Sequence, residues 1–303
     1  MELLYLLEKI RLPGLNEFML GITYLGDEIA FLAIALILFW CIDKRQGYFI
    51  LSVGFVGTLL NQFLKLWFRV PRPWILDEKF TILEQAREGA SGYSFPSGHT
   101  QSSVGTFGGI AYTTKNKIVR IVSVVVAVLV PFSRMYIGVH TPADVFVSVG
   151  IALLLMFVLH PVIYRNDGKA IPVLMAVMSL VSIAYLCFAE LYPFPADVDP
   201  ENLASGVKNA YTLIGALTGL IIVYIVEKKW IKFPTKAIFW AQVLKVSIGL
   251  VIVLILKGGL SAPLAALLGE KFGRAVRYFI LVIVAGGVWP LSFRWFAKLA
   301  CKE

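Results

Sequence analysis

The sequence predicts an all-α fold, a polytopic transmembrane helical bundle of about nine spans preceded by an N-terminal interfacial helix. Three observations lead there. Of 303 residues, 58% are hydrophobic and only 16% are charged, with a mean hydropathy of +0.79; an ordinary globular chain carries about 25% charged residues. Stretches free of Asp, Glu, Lys and Arg recur along the chain, and about 20 apolar residues suffice to cross the hydrocarbon core. The basic residues collect in alternate loops. An ordinary soluble domain is thereby excluded. The 13% aromatic content and the long aliphatic runs exclude intrinsic disorder. The net charge of +9 does not mark a nucleic-acid binder, because the Lys and Arg residues are dispersed over loops rather than gathered in a stripe.

The elements follow in chain order. Residues 1–14 (MELLYLLEKIRLPG) contain Glu2 and Glu8 and too short an apolar run for a signal peptide. Leu3, Leu4, Leu6, Leu7 and Ile10 form one apolar helical stripe, which suits a helix lying in the membrane interface. Uncharged or nearly uncharged spans are expected at 29–42, 46–64, 121–133, 145–164, 170–189, 209–226, 246–256 and 278–293. The ninth, 99–114, is less hydrophobic. Its Ser103, Gly105, Gly108 and Gly109 suit a helix packed closely on other helices rather than on lipid. The three cysteines (Cys41, Cys187, Cys301) match no metal or disulfide spacing and read as small apolar fillers.

With nine spans, loops 43–45, 115–120, 165–169, 227–236 and 294–303 fall on one side, carrying fourteen Lys/Arg against four acids. The positive-inside rule makes that side cytoplasmic. The other side, facing out of the cytoplasm, holds three polar segments with no structural excuse. Lys65 and Arg72-Pro73 end the second span; Pro96-Ser97-Gly98-His99 opens the next; Ser133-Arg134, His140 and Asp144 link the fourth span to the fifth. Lys65, Arg72 and Arg134 are three cations near membrane depth, where charge is expensive and marks function. Arg matches phosphate oxygens with its planar fork, and Lys acts as a point charge. Pro96–His99 reads as a turn into a helix whose backbone N–H groups face an anion, with Gly98 allowing close approach. His140 and Asp144, four apart, would share a helical face if both are helical. A carboxylate on one ring nitrogen raises the basicity of the other, which suits His140 as a nucleophile and leaves His99 to protonate the departing oxygen.

These segments resemble the signature of the type 2 phosphatidic acid phosphatase superfamily, membrane phosphatases related to vanadium haloperoxidases. Its pattern is Lys, six residues, Arg-Pro; Pro-Ser-Gly-His; then Ser-Arg, five residues, His, three residues, Asp. Every position is met in order. The resemblance covers 15–165 and implies a six-helix-type phosphatase core there; the apolar patterning leaves an interfacial helix at 1–14 and additional transmembrane helices of unknown role at 166–303. The resemblance also implies that Lys65, Arg72, Ser97, Gly98 and Arg134 hold phosphate and that His140 forms a phosphohistidine. Asp144 would orient His140, while His99 would protonate the leaving alkoxide and later activate water. No metal or other cofactor is implied. The expected activity is hydrolysis of a lipid phosphate, with phosphatidic acid, phosphatidylglycerol phosphate, a sphingoid-base phosphate or an isoprenyl (pyro)phosphate as candidates. The expected place is the plasma membrane, with the site outside the cytoplasm and membrane lipids as neighbours. Alternatives are a glucose-6-phosphatase-like enzyme for a soluble sugar phosphate and a non-catalytic lipid binder or transporter. A haloperoxidase is more distant still.

Other polar residues read more plainly. Arg69 snorkels, and His160 before Pro161 packs. Trp67, Trp74, Trp230 and Trp295 belong to aromatic belts, with substrate contact a second reading for Trp74 alone. Lys245 inside a span is either functional or paired within the bundle. Segment 257–277 reads as a loop, with a re-entrant or interfacial element as the second reading.

Overall fold

In the computed structural model, residues 1–87, 89–165 and 169–299 are described, and among them there is no strand. The helices run in order: α1 (Glu2–Lys9), α2 (Pro13–Thr23), α3 (Glu28–Ile37), α4 (Lys44–Phe68), α5 (Pro73–Leu76), α6 (Gly98–Ser103), α7 (Gly109–Thr113), α8 (Lys117–Tyr136), α9 (Pro142–Tyr164), α10 (Ala170–Leu191), α11 (Pro200–Val226), α12 (Phe239–Gly259), α13 (Ser261–Ile283) and α14 (Phe293–Lys298). Cys301 and parts of two basic loops lie outside the described residues.

Among the described residues, seven segments are long and apolar enough to cross a membrane: Lys44–Leu76, Lys117–Tyr136, Pro142–Tyr164, Ala170–Leu191, Pro200–Ile231, Phe239–Gly259 and Ser261–Lys298. An eighth arises if Pro13–Gly26 and Glu28–Ile42, bent by 56° at their junction, act as one. Of the expected spans, 29–42 qualifies only as half of that bent pair, and 99–114 does not qualify. It is helical from Gly98 to Thr113 through a wider-wound stretch at Val104–Gly108, but sixteen residues rise only about 24 Å. Its small residues do pack on neighbours. A Cβ on Gly109 would lie 2.5 Å from Ile50 Cδ1, and one on Gly108 would lie 3.1 Å from Met156 Cε. Where α8 and α10 meet nothing, they expose Ile118, Ile121, Val125 and Val128, and Val173, Leu180 and Ile183. Such aliphatic faces suit contact with lipid.

The chain divides into two compact units. The first comprises Met1–Ile34, Phe49–Tyr164 and Pro193–Gly206. Its central helix is α8, capped at its start by the Asn116 carboxamide, which accepts from the N–H groups of Ile118 and Val119. Helices α1, α2, α6 and α7 pack on α8, and α9 packs on α6. The α1 stripe is split. Leu4 and Leu7 are buried against Phe80, Ile82, Met135 and Val145, whereas Leu3, Leu6 and Ile10 stay exposed. His160 is enclosed by rings, stacked on Tyr164 at 4.4 Å and edge-on to Tyr112 and Phe49. It packs, as expected.

The second unit comprises Ala35–Tyr48, Arg165–Tyr192 and Val207–Glu303. Here Lys245 is buried and paired: its Nζ donates to the carbonyls of Trp40 (2.9 Å) and Thr235 (3.2 Å) and lies 4.5 Å from the Phe293 ring centre. Cys41 is half-buried beside it, while Cys187 is exposed and fills nothing. The loop expected at 257–277 is instead helical, forming the end of α12 and the first turns of α13. Ala and Leu favour helix there, and Pro263 is tolerated in a first turn, where its missing N–H has no intrahelical partner anyway. The break falls at Gly269, with φ of 77°, a value open mainly to glycine.

The burial pattern of α1 is testable by thermal unfolding in detergent. Leu4→Ala should lower stability by about 2–5 kcal/mol through lost packing and a residual cavity. Leu6→Ala, on the exposed side, should change it by less than about 0.5 kcal/mol.

Candidate active site

The polar segments flagged in the sequence converge in the first unit, each at a helix end. Lys65 lies one turn before the end of α4 and donates its Nζ to the Tyr93 carbonyl. Arg69 follows in a left-handed conformation, with Nη1 on the Leu66 carbonyl at 3.1 Å, so it caps α4 and stays out of the cluster. The chain then runs to Arg72, clamped on the way by the Ser94 N–H donating to the Val70 carbonyl at 2.8 Å.

Arg72 is buried and makes four hydrogen bonds. Nε donates to Gly92 O (2.9 Å), Nη2 to Ser91 O (2.7 Å), and Nη1 to both Val139 O (3.0 Å) and His140 Nε2 (3.0 Å). A guanidinium has no acceptor, so His140 Nε2 must carry a lone pair and the ring proton sits on Nδ1. The tautomer follows from that one contact.

His140 is not helical. Helix α8 ends at Tyr136, Gly138 turns the chain with φ of 88°, and His140 lies in the turn before α9. The expected shared helical face is therefore replaced by a cap. Thr141 precedes Pro142, the first helical residue, and Asp144 is the third. The Thr141 N–H donates to Asp144 Oδ2 at 2.7 Å, and the Asp144 N–H donates to Thr141 Oγ1 at 3.3 Å. This reciprocal pair is a capping box. It fixes Oδ2 3.4 Å from His140 Nδ1, a long contact of the kind that tightens when charge develops.

The helix bearing Ser97, Gly98 and His99 is tied to the same corner. Ser97 caps it, its Oγ accepting from the Thr100 N–H at 3.4 Å, and its N–H donates to the Asp144 carbonyl at 3.1 Å. Asn61 of α4 donates to the Pro96 carbonyl at 3.3 Å. Arg134, in the last turn of α8, is buried and donates Nη1 to Thr23 Oγ1 at 2.7 Å. His99 Nε2 lies 2.6 Å from Asp27 Oδ1.

Burial lowers the His140 basicity well below the ordinary imidazole value of 6.5. Arg72, Arg134, Lys65 and His99, in that order, push it further down. At neutral pH the ring is uncharged, with an available nitrogen amid cations. Trp74 stands nearby, its ring 6.0 Å from the Arg72 guanidinium and 5.3 Å from that of Arg87. Among the described residues, no three His, Cys, Asp or Glu side chains group as metal ligands.

Four contributors escaped the sequence reading. Ser94 Oγ donates to Asp144 Oδ2 at 2.5 Å and lies 3.4 Å from His140 Nδ1; its position three residues before Ser97 was the only local signal. Asn61 was hidden in an uncharged span. Thr23 and Asp27 precede the motif segments by more than 35 residues, and no spacing rule connects them.

Residues 45–168 match the family described as the PAP2 superfamily, and residues 211–302 match the one described as PAP2 superfamily phosphatase, transmembrane extension. Over 161 residues the chain is 36% identical to Phosphatidylglycerophosphatase B of Bacillus subtilis (strain 168), covering 49% of this chain and 75% of that protein. It is 30% identical over 149 residues to Undecaprenyl-diphosphatase BcrC of the same organism, covering 47% and 72%. It is 29% identical over 145 residues to an Undecaprenyl-diphosphatase of Sulfolobus acidocaldarius, covering 48% and 68%. No solved structure matches the chain.

The charge state of His140 can be read by NMR of histidine-labelled protein, with His140→Gln used for assignment. Without substrate, its resonance should show the Nδ1–H tautomer and stay unprotonated at pH 6.5. A midpoint at or above 6.5 would contradict the burial among cations.

Proposed function

Because the chain belongs to the PAP2 superfamily, we propose that it is an integral-membrane phosphatase that hydrolyses a lipid phosphate through a phosphohistidine at His140. One observation carries the mechanism: Arg72 Nη1 donates to His140 Nε2 while Asp144 faces Nδ1 across the same ring. An arriving phosphate competes for the guanidinium fork, and as it does so the Nε2 lone pair is released toward phosphorus. Binding of the substrate thus exposes the nucleophile. Attack makes the ring cationic, and Asp144, held by its cap and by Ser94, stabilises that charge.

Lys65, Arg72 and Arg134 neutralise the equatorial oxygens in the transition state, where preorganised charge contributes most. The Ser97 hydroxyl and the Gly98 N–H at the helix start complete the cradle. His99 protonates the departing alkoxide and then takes a proton from the water that cleaves the P–N bond. The cations do what a metal would do elsewhere, and the reading needs no cofactor.

The relatives' names support a lipid phosphate or diphosphate over a sugar phosphate. Loop charge supports a site facing out of the cytoplasm at the plasma membrane, reached laterally by head groups. The motif residues fall within 15–165, which we assign as the phosphatase core, with 166–303 as the membrane extension and 1–14 as an interfacial helix.

A panel of phosphatidylglycerol phosphate, phosphatidic acid, an isoprenyl diphosphate and glucose 6-phosphate, assayed for released phosphate in detergent, tests the substrate class. A lipid substrate should be favoured, and preference for the sugar phosphate would refute the lipid assignment. Turnover should persist in EDTA and be inhibited by vanadate, which adopts the five-coordinate geometry. His140→Ala should lose at least about 10³-fold in kcat, as for other nucleophile deletions. Near-normal turnover by that variant would overturn the nucleophile assignment.

A further inference from the structure

We propose that Asp27 is a positioning residue for His99, so that the site contains two aspartate–histidine pairs, one for the nucleophile and one for the acid. The inference rests on the reading of His99 as the proton donor to the leaving group. It concerns a residue outside all three motif segments.

Asp27 stands at the junction of the bent pair Pro13–Gly26 and Glu28–Ile42. Its extended backbone (φ −70°, ψ 156°) interrupts the helical path, and its carbonyl accepts from the Phe31 N–H at 3.0 Å, starting α3. From this junction the carboxylate reaches His99, with Oδ1 2.6 Å from Nε2. That length suits a charge-assisted hydrogen bond. The neighbouring residues dock the junction on the same groups. A Cβ on Gly26 would lie 2.9 Å from both the His99 carbonyl oxygen and Val130 Cγ1, so only hydrogen permits the approach. Thr23 Oγ1 accepts from Arg134 Nη1 at 2.7 Å. Three residues within five positions thus fit against His99 and Arg134.

The contact assigns the chemistry atom by atom. With Nε2–H on Asp27, the proton that reaches the substrate leaves from Nδ1. As Nε2 of His140 bonds to phosphorus, the P–O bond to the leaving group breaks. The His99 Nδ1 proton then passes to that oxygen, releasing the alcohol and a neutral imidazole. In the second half, water attacks phosphorus, the P–N bond breaks, and the water proton returns to His99 Nδ1. Phosphate is released and both histidines regain their starting states. Burial and the Arg134 charge hold the His99 pKa down to about 4, and Asp27 pulls the other way: it keeps Nε2–H oriented and favours the imidazolium needed for donation.

A positioning role depends on the leaving group, whereas a purely structural role does not. We would compare kcat/KM, which reports phosphoryl transfer to His140, for phosphatidic acid and for 4-nitrophenyl phosphate, whose leaving group needs no proton. Asp27→Asn should lose about 10²-fold on phosphatidic acid and less than about threefold on 4-nitrophenyl phosphate, in the range of general acid catalysis. Asp27→Glu should recover most of the loss, and His99→Ala should show the same selectivity as Asp27→Asn. Equal losses on both substrates for Asp27→Asn, or no loss on either, would refute the positioning role while a selective His99→Ala preserved the acid assignment. A His99→Ala variant that is itself unselective would remove His99 as the acid, and the proposal with it.

Discussion

The position of His140 depends on the Arg72 guanidinium. Its donors reach carbonyls at Ser91, Gly92 and Val139 and the Nε2 atom of His140, tying the loop after α5 to the turn between α8 and α9. A buried cation needs such partners, because leaving it unpaired costs several kcal/mol. Carbonyls satisfy hydrogen bonds without neutralising charge. The corner therefore retains a net positive field, and an anion is the ligand that completes it.

That field explains the arrangement of helix ends. The C-terminal ends of α4 and α8 bring Lys65 and Arg134, and the N-terminal ends of α6 and α9 bring His99 and Asp144. Antiparallel neighbours alternate their ends, so two C-termini and two N-termini meet at one level. Loops and caps then set the finer geometry. The capping box of Thr141 and Asp144 serves the helix and holds the carboxylate facing His140 with the same two hydrogen bonds. Under the proposed mechanism stability and chemistry share those atoms, so a change at Thr141 is expected to be felt in both.

What could be read in the sequence followed from where its physics is local. Spans such as 145–164 are legible because twenty uncharged residues have one home, and Lys65, Arg72, His99, Arg134, His140 and Asp144 were legible by type and spacing. The close packing of 99–114 was visible in its glycines, although its shortness as a span was not. Segment 257–277 was misread because its Gly, Pro and charged residues look like punctuation, yet the chain is helical on both sides of the kink at Gly269. The His140–Asp144 pairing was foreseen, but by helical periodicity, whereas the structure achieves it through a cap. Asp27 and Thr23 were invisible, since their meaning lies in a tertiary contact with His99 and Arg134 across more than 70 residues.

The central claim is that phosphorus passes through a covalent bond to His140 and is displaced twice. The stereochemical course at phosphorus reads this directly, using a lipid phosphate made chiral with oxygen isotopes and sulfur and hydrolysed in isotopic water. Two in-line displacements should give overall retention of configuration. Inversion would mean that water attacks the substrate itself, and His140 could not then be the nucleophile.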